Sequence, residues 1–96
     1  MSILHTISRS PSSDLLKSCA GLLGEDDGIL FIEDGIYYCA DNSSLSEVAT
    51  KVKLYALKED IEARGMQSRS SADIDLIDYA RFVEICCDYD KVVSWF

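Results

Sequence analysis

Four cysteines and a single histidine are the residues of this sequence best suited to nucleophilic, redox or metal chemistry. The cysteines stand at Cys19, Cys39, Cys86 and Cys87, and no two of them make a CxxC pair. That spacing argues against a zinc knuckle and a thioredoxin-type dithiol, and four cysteines in 96 residues are too sparse for a disulfide scaffold. Any Cys–His pair, Ser–His–Asp triad or histidine-bearing metal site would have to be built on His5, so no metal ligand is assigned. Thiol chemistry needs a thiolate, hence nearby positive charge. Cys86 and Cys87 sit among Glu84, Asp88 and Asp90, which favour the neutral thiol, and adjacent helical positions point about 100° apart, a poor geometry for a bridge. Cys39, beside Tyr37-Tyr38 and ahead of Asp41, reads as a packing residue. Cys19 lies near Lys17 with the fewest acids around it and is the best thiol candidate, although an apolar face shared with Leu15 and Leu22 suits a small core residue better.

Carboxylates follow the apolar runs, paired in Glu33-Asp34 and Glu59-Asp60 and single in Asp78 ahead of Tyr79. Pairs of acids in a crevice can act as general acid and base. Capping of the following helices by Asp34, Asp60 and Asp78 explains all three positions with one mechanism and is the preferred reading. Ser8-Arg9-Ser10-Pro11-Ser12-Ser13 combines hydroxyls, an arginine and a helix entrance, a setting for an anion. It lacks the glycine that lets backbone amides approach a phosphate, and neither GxGxxG nor GxxxxGK[ST] occurs, so no cofactor is expected.

The elements that must position these residues follow from the apolar pattern. Ile3–Ile7, Ile29–Ile32, Val52–Leu57 and Ile74–Ile77 are short, nearly all-apolar runs ending in polar residues, which suits strands buried on both faces. Val92–Phe96 is a closing strand. Between them, Leu15, Cys19, Leu22 and Leu23 make one face of a helix entered through Ser12-Ser13-Asp14. Ser44-x-x-Glu47 reads as a capping box, Ile61–Arg64 before Gly65 as a short helix with a glycine stop, and Asp78 as the cap of a helix with inner face Tyr79, Phe82, Val83 and Cys86. Gln67–Asp73 reads as a surface loop. Strand alternating with helix predicts a single α/β domain over residues 1–96, a three-layer α/β/α sandwich of about five mostly parallel strands.

Nine basic against 17 acidic residues leave a net charge of −8, which argues against an autonomous nucleic-acid binder. The longest run free of charged residues, Met1–Ser8, is far shorter than the roughly 20 residues needed to span a bilayer, and no signal-peptide pattern opens the chain, so a cytoplasmic, non-membrane protein is expected.

Several strings taken in order resemble one family. They are Leu4-His5-Thr6, Arg9-Ser10-Pro11, Glu33-Asp34-Gly35, Leu54-Tyr55-Ala56-Leu57, Asp60, Ala63-Arg64-Gly65, Asp78-Tyr79, Phe82-Val83 and Ser94-Trp95-Phe96. Together they are similar to the TusB/DsrH family and span nearly the whole chain. The resemblance implies a DsrEFH-like fold and a chain that is one of three related subunits in a dimer of heterotrimers, with TusC/TusD-like or DsrF/DsrE-like siblings. In the Tus version such a complex relays persulfide sulfur toward 2-thiouridine at the tRNA wobble position, without this subunit touching nucleic acid. In the Dsr version a similar complex serves sulfur oxidation and trafficking. The main persulfide cysteine belongs to a sibling in both, so the chain reads as a non-catalytic or accessory subunit. Cys19 matches a cysteine of DsrH-type and some TusB-type members, which raises it as an accessory sulfur carrier. Tyr37, Tyr38, Trp95 and Phe96 are the aromatic residues expected at a surface for siblings or in the core.

Overall fold

The computed structural model describes residues 1–40, 45, 46, 48, 50–68 and 74–95. Five strands form one sheet: β1 (Ile3–Ile7), β2 (Gly28–Phe31), β3 (Lys53–Leu57), β4 (Ile74–Ile77) and β5 (Lys91–Trp95). Their order across the sheet is β4-β3-β2-β1-β5, and every pairing is parallel. Each apolar run expected to form a strand does so to within one residue at either end. Continuous apolar character marks the centre of the sheet, where Ile29, Leu30, Phe31 and Ala56 are wholly buried. The edges differ: β4 buries only Ile74 and Ile77, and β5 exposes Val92 and Val93.

Helices α1 (Leu15–Ala20), α2 (Lys58–Ala63) and α3 (Tyr79–Asp88) join 3-10 turns at Pro11–Ser13 and Glu33–Ala40 to complete the layers. Steps from β1 through β4 all move one way across the sheet, and their connections pack on one face. There Leu16, Ile36 and Ile61 meet Ile7, Ile29, Phe31 and Ala56. The step from β4 to β5 runs back past three strands, so a connection of the same hand must cross the opposite face. On that face Ile85 of α3 meets Leu4, Leu30, Tyr55 and Ile77. The result is the expected α/β/α layering, with parallel strands throughout.

Local expectations fared less well. Helix α1 ends at Ala20, leaving Leu22 67% exposed, and its buried residues are Leu16 and Cys19. The reason lies at its entrance: Pro11–Ser13 take up a 3-10 turn, and Asp14, at φ 58°, redirects the chain without a side-chain cap. Helix α3 is rotated from its expected face. Ile85 is buried, Phe82 and Cys86 are half-buried, and Tyr79 and Val83 stand in the open. Residues Glu33–Ala40 form a 3-10 helix that buries Ile36, Tyr38 and Cys39, so Tyr38 is a core residue, not a surface aromatic. Ser44 and Glu47 of the capping box, residues 69–73 of the expected loop, and Phe96 lie outside the described residues.

Candidate functional site

Cys19 is the thiol singled out by the sequence, and α1 carries it wholly into the core against the sheet. Burial pushes its thiol up to about 12, and the Asp27 carboxylate adds to the effect. At neutral pH such a group is thiolate only to the order of 10⁻⁵, so in this conformation it is a poor nucleophile. Cys39 is equally buried and also pushed up to about 12 by burial. Cys86 is half-buried and raised by burial and then by its neighbour, while Cys87 is exposed; all four thiols are free.

Beside Cys19 the fold assembles a group that the sequence did not advertise. His5 of β1, Asp27 just ahead of β2 and Trp95 of β5 form a chain of side-chain hydrogen bonds. The Trp95 indole Nε1–H donates to His5 Nδ1 at 3.0 Å, and His5 Nε2 lies 3.1 Å from Asp27 Oδ2. An indole nitrogen only donates, so Nδ1 must present a lone pair and Nε2 must carry the hydrogen offered to Asp27. The carboxylate also accepts from the amides of Ile3 and Gly24, each at 3.0 Å. Burial alone would raise the Asp27 carboxyl, but the Gly24 amide, the His5 ring and the Ile3 amide together hold it below its usual value. His5 and Asp27 are 3% and 4% exposed, so this is an interior polar network with its bonds made.

The acids at the carboxyl ends of the strands serve backbone ends and one another. Asp78 caps α3 as expected, accepting from the Arg81 amide at 2.8 Å. Asp34 and Asp60 do not cap. Asp60 lies inside α2, where it accepts from the Glu33 amide at 2.6 Å, and Asp34 accepts from Arg64 Nε at 3.2 Å. Two of the three capping assignments thus give way to ties between segments, because α2 begins at Lys58, before Asp60, and Asp34 falls within a 3-10 helix. The serine-rich loop is likewise occupied with itself: the Ser10 and Ser12 hydroxyls are 2.8 Å apart and the Ser13 hydroxyl donates to the Ser10 carbonyl. It follows β1 at the carboxyl end of the β1–β5 pair, where the strand order reverses, and the Ser8 hydroxyl donates to the Trp95 carbonyl there. At the other end of the strands an open cleft of about 390 Å³ is lined by Glu25, Asp26, Asp27, Lys51, Lys53 and Tyr89 among others, a mixture of opposite charges. Among the described residues no three His, Cys, Asp or Glu side chains converge to hold a metal ion. None of their helices is long and apolar enough to cross a membrane.

An all-parallel α/β/α sheet with buried thiols and two exposed edges defines a class of small open-sheet proteins, and comparison with known proteins narrows it. The family model described as "DsrH like protein" matches residues 9–92. Proteins named TusB from Enterobacter sp. (strain 638), Escherichia coli (strain K12) and Photorhabdus laumondii are 34%, 36% and 38% identical over 95 residues, covering 97% of this chain and all of each relative. The crystal structure of the ychN protein of E. coli superposes with a TM-score of 0.80 at 11% identity, over 98% of this chain and 97% of that one. The solution structure of protein Tm0979 of Thermotoga maritima gives 0.71 at 23% identity, over 90% and 92%. The chain belongs to the DsrH family, the one its ordered strings resemble.

Proposed function

We propose that this chain, acting as one domain over residues 1–96, is the TusB-type subunit of a cytoplasmic sulfur-relay complex. Two homologous siblings, TusC-like and TusD-like, join it in a dimer of heterotrimers that supports 2-thiouridine formation at the tRNA wobble position. The observation that carries this reading is full-length identity of 34–38% to proteins named TusB. The geometry fits a subunit. Val92 and Val93 are exposed on edge strand β5, and Tyr79 and Val83 of α3 are 55% and 65% exposed, so apolar surface is left for partners. A net charge of −8 fits a subunit that passes sulfur onward to protein without contacting tRNA. In this reading its part is chiefly structural. An accessory sulfur-carrying role for Cys19 would require α1 to lift from the sheet, since its thiol is wholly buried.

The test is deletion of the gene followed by nucleoside analysis of tRNA. Loss of 2-thiouridine, restored by this chain, is the expected result; unchanged 2-thiouridine would sink the reading. Exposure of the assembled complex to a persulfide donor, followed by mass spectrometry, addresses Cys19: added sulfur on Cys19 and none on Cys19→Ser supports carriage. A DsrH-type role in sulfur oxidation is the second reading, favoured by the description of the matching family model. It expects the deletion to spare thiouridine and impair sulfur oxidation.

A further inference from the structure

We propose that His5, Asp27 and Trp95 form a proton-operated latch on the free edge of the sheet. Three separate stretches of chain meet at one buried imidazole, and both of its nitrogens are already committed. Nε2–H faces a carboxylate that itself receives two backbone amides, so that side is fixed. Nδ1 faces the indole N–H of Trp95, a group with no lone pair to offer a second hydrogen. A proton arriving from solvent can bind only at Nδ1, forming one N–H bond and turning the ring into an imidazolium paired with the Asp27 carboxylate. Two donors then point at each other. His5 and Asp27 are buried and held from several sides, whereas Trp95 is half-buried on an edge strand, so the indole is the member that must turn away.

What is released is the carboxyl end of β5. This strand pairs with β1 along one side, and among the described residues the side-chain ties of Ser94 and Trp95 are the Thr6–Ser94 hydroxyl contact at 3.1 Å, the Ser8 hydroxyl on the Trp95 carbonyl, and the indole bond itself. The electrostatic setting is simple. Asp27 faces the ring directly, the Cys19 thiol of α1 and the Tyr89 phenol lie within reach of the Asp27 charge, and Glu25 and Asp26 are exposed on the loop before it. Lys91 is exposed on the same face of β5, and the register neighbours Ile29 and Val93 are apolar. Loss of one proton restores the bond, so the latch is reversible and adjusts how firmly the edge is presented.

One histidine and one tryptophan make the test clean in the intact chain. Titration from pH 8 to 5 should show Trp95 fluorescence and its quenching by acrylamide changing with the same midpoint as the His5 ring resonances. Amide exchange at residues 93–95, corrected for its intrinsic pH dependence, should rise about fivefold to tenfold below that midpoint, the scale of one net hydrogen bond. Amides of β2 and β3 should stay protected, which separates unlatching from acid unfolding. Trp95→Phe should exchange fast at β5 at both pH values, and His5→Gln should abolish the transition. The idea fails if His5 titrates without moving Trp95, if His5 does not titrate in this range, or if β5 exchange in Trp95→Phe still changes with the original midpoint. Because Trp95→Phe leaves His5 and Asp27 in place, the outcome stands even if His5→Gln does not fold.

Discussion

Asp27 shows how much can rest on one carboxylate. It takes hydrogen bonds from the Ile3 and Gly24 amides and from His5, tying the loop before β2 to the start of β1. Its value is held below that of a free Asp, about 3.9, so its stabilising contribution is present above that pH and is lost as pH falls through the lowered folded value. Asp27→Asn should therefore cost about 1–3 kcal/mol at pH 7, and urea melts between pH 7 and 3 should show the difference from the parent shrinking in acid. Thiol reactivity follows burial in the same way. Alkylation of the native chain should label Cys87 first, whereas Cys19 and Cys39 should react no faster than the chain opens; mass spectrometry of timed samples distinguishes them. None of this network was visible in the sequence. His5 lies 22 residues from Asp27 and 90 from Trp95, and Asp27 ends an acidic run, Glu25-Asp26-Asp27, in which nothing sets it apart from its exposed neighbours.

Strands were legible because a parallel sheet buries both faces of its central members, which leaves nearly all-apolar runs in the chain. Helix faces were less legible because each short helix touches the sheet along a line set by its connections. In α3 that line passes through Ile85, leaving Val83 outside. The glycine stop after α2 was legible: Gly65 sits at φ +65°, its amide donates to the Glu62 carbonyl, and the Met66 amide donates to the Ile61 carbonyl, a Schellman closure. Gly65→Ala should cost about 1–2 kcal/mol through the left-handed backbone alone, since a Cβ there meets nothing. Gly35→Ala should cost about 3 kcal/mol or more, because its Cβ would be driven into the Ile7 carbonyl oxygen where Glu33–Ala40 crosses the end of β1. Thermal melts of the two variants should rank in that order.

For the molecule as a whole, the subunit reading predicts that surface and stability separate. Val92→Lys and Val93→Lys on the exposed edge should leave stability within about 0.5 kcal/mol of the parent yet prevent co-purification with sibling subunits; retention of all three chains in both variants would exclude β5 as the contact. The strand order has a further consequence, for synthesis. β5 is the last of the five strands in the chain, yet it lies beside the first, with Ile3 opposite Lys91. While the chain is being made, β2, β3 and β4 can add outward in sequence, but β1 must wait for β5. Until that strand leaves the ribosome, one side of β1 is an unpaired backbone edge next to the interior, the kind of edge that recruits a wrong strand. Closing it joins the most distant strands of the chain, so the pairing that completes the fold is also the slowest to reach, and a nascent chain stalled before β5 is the form most in need of a chaperone.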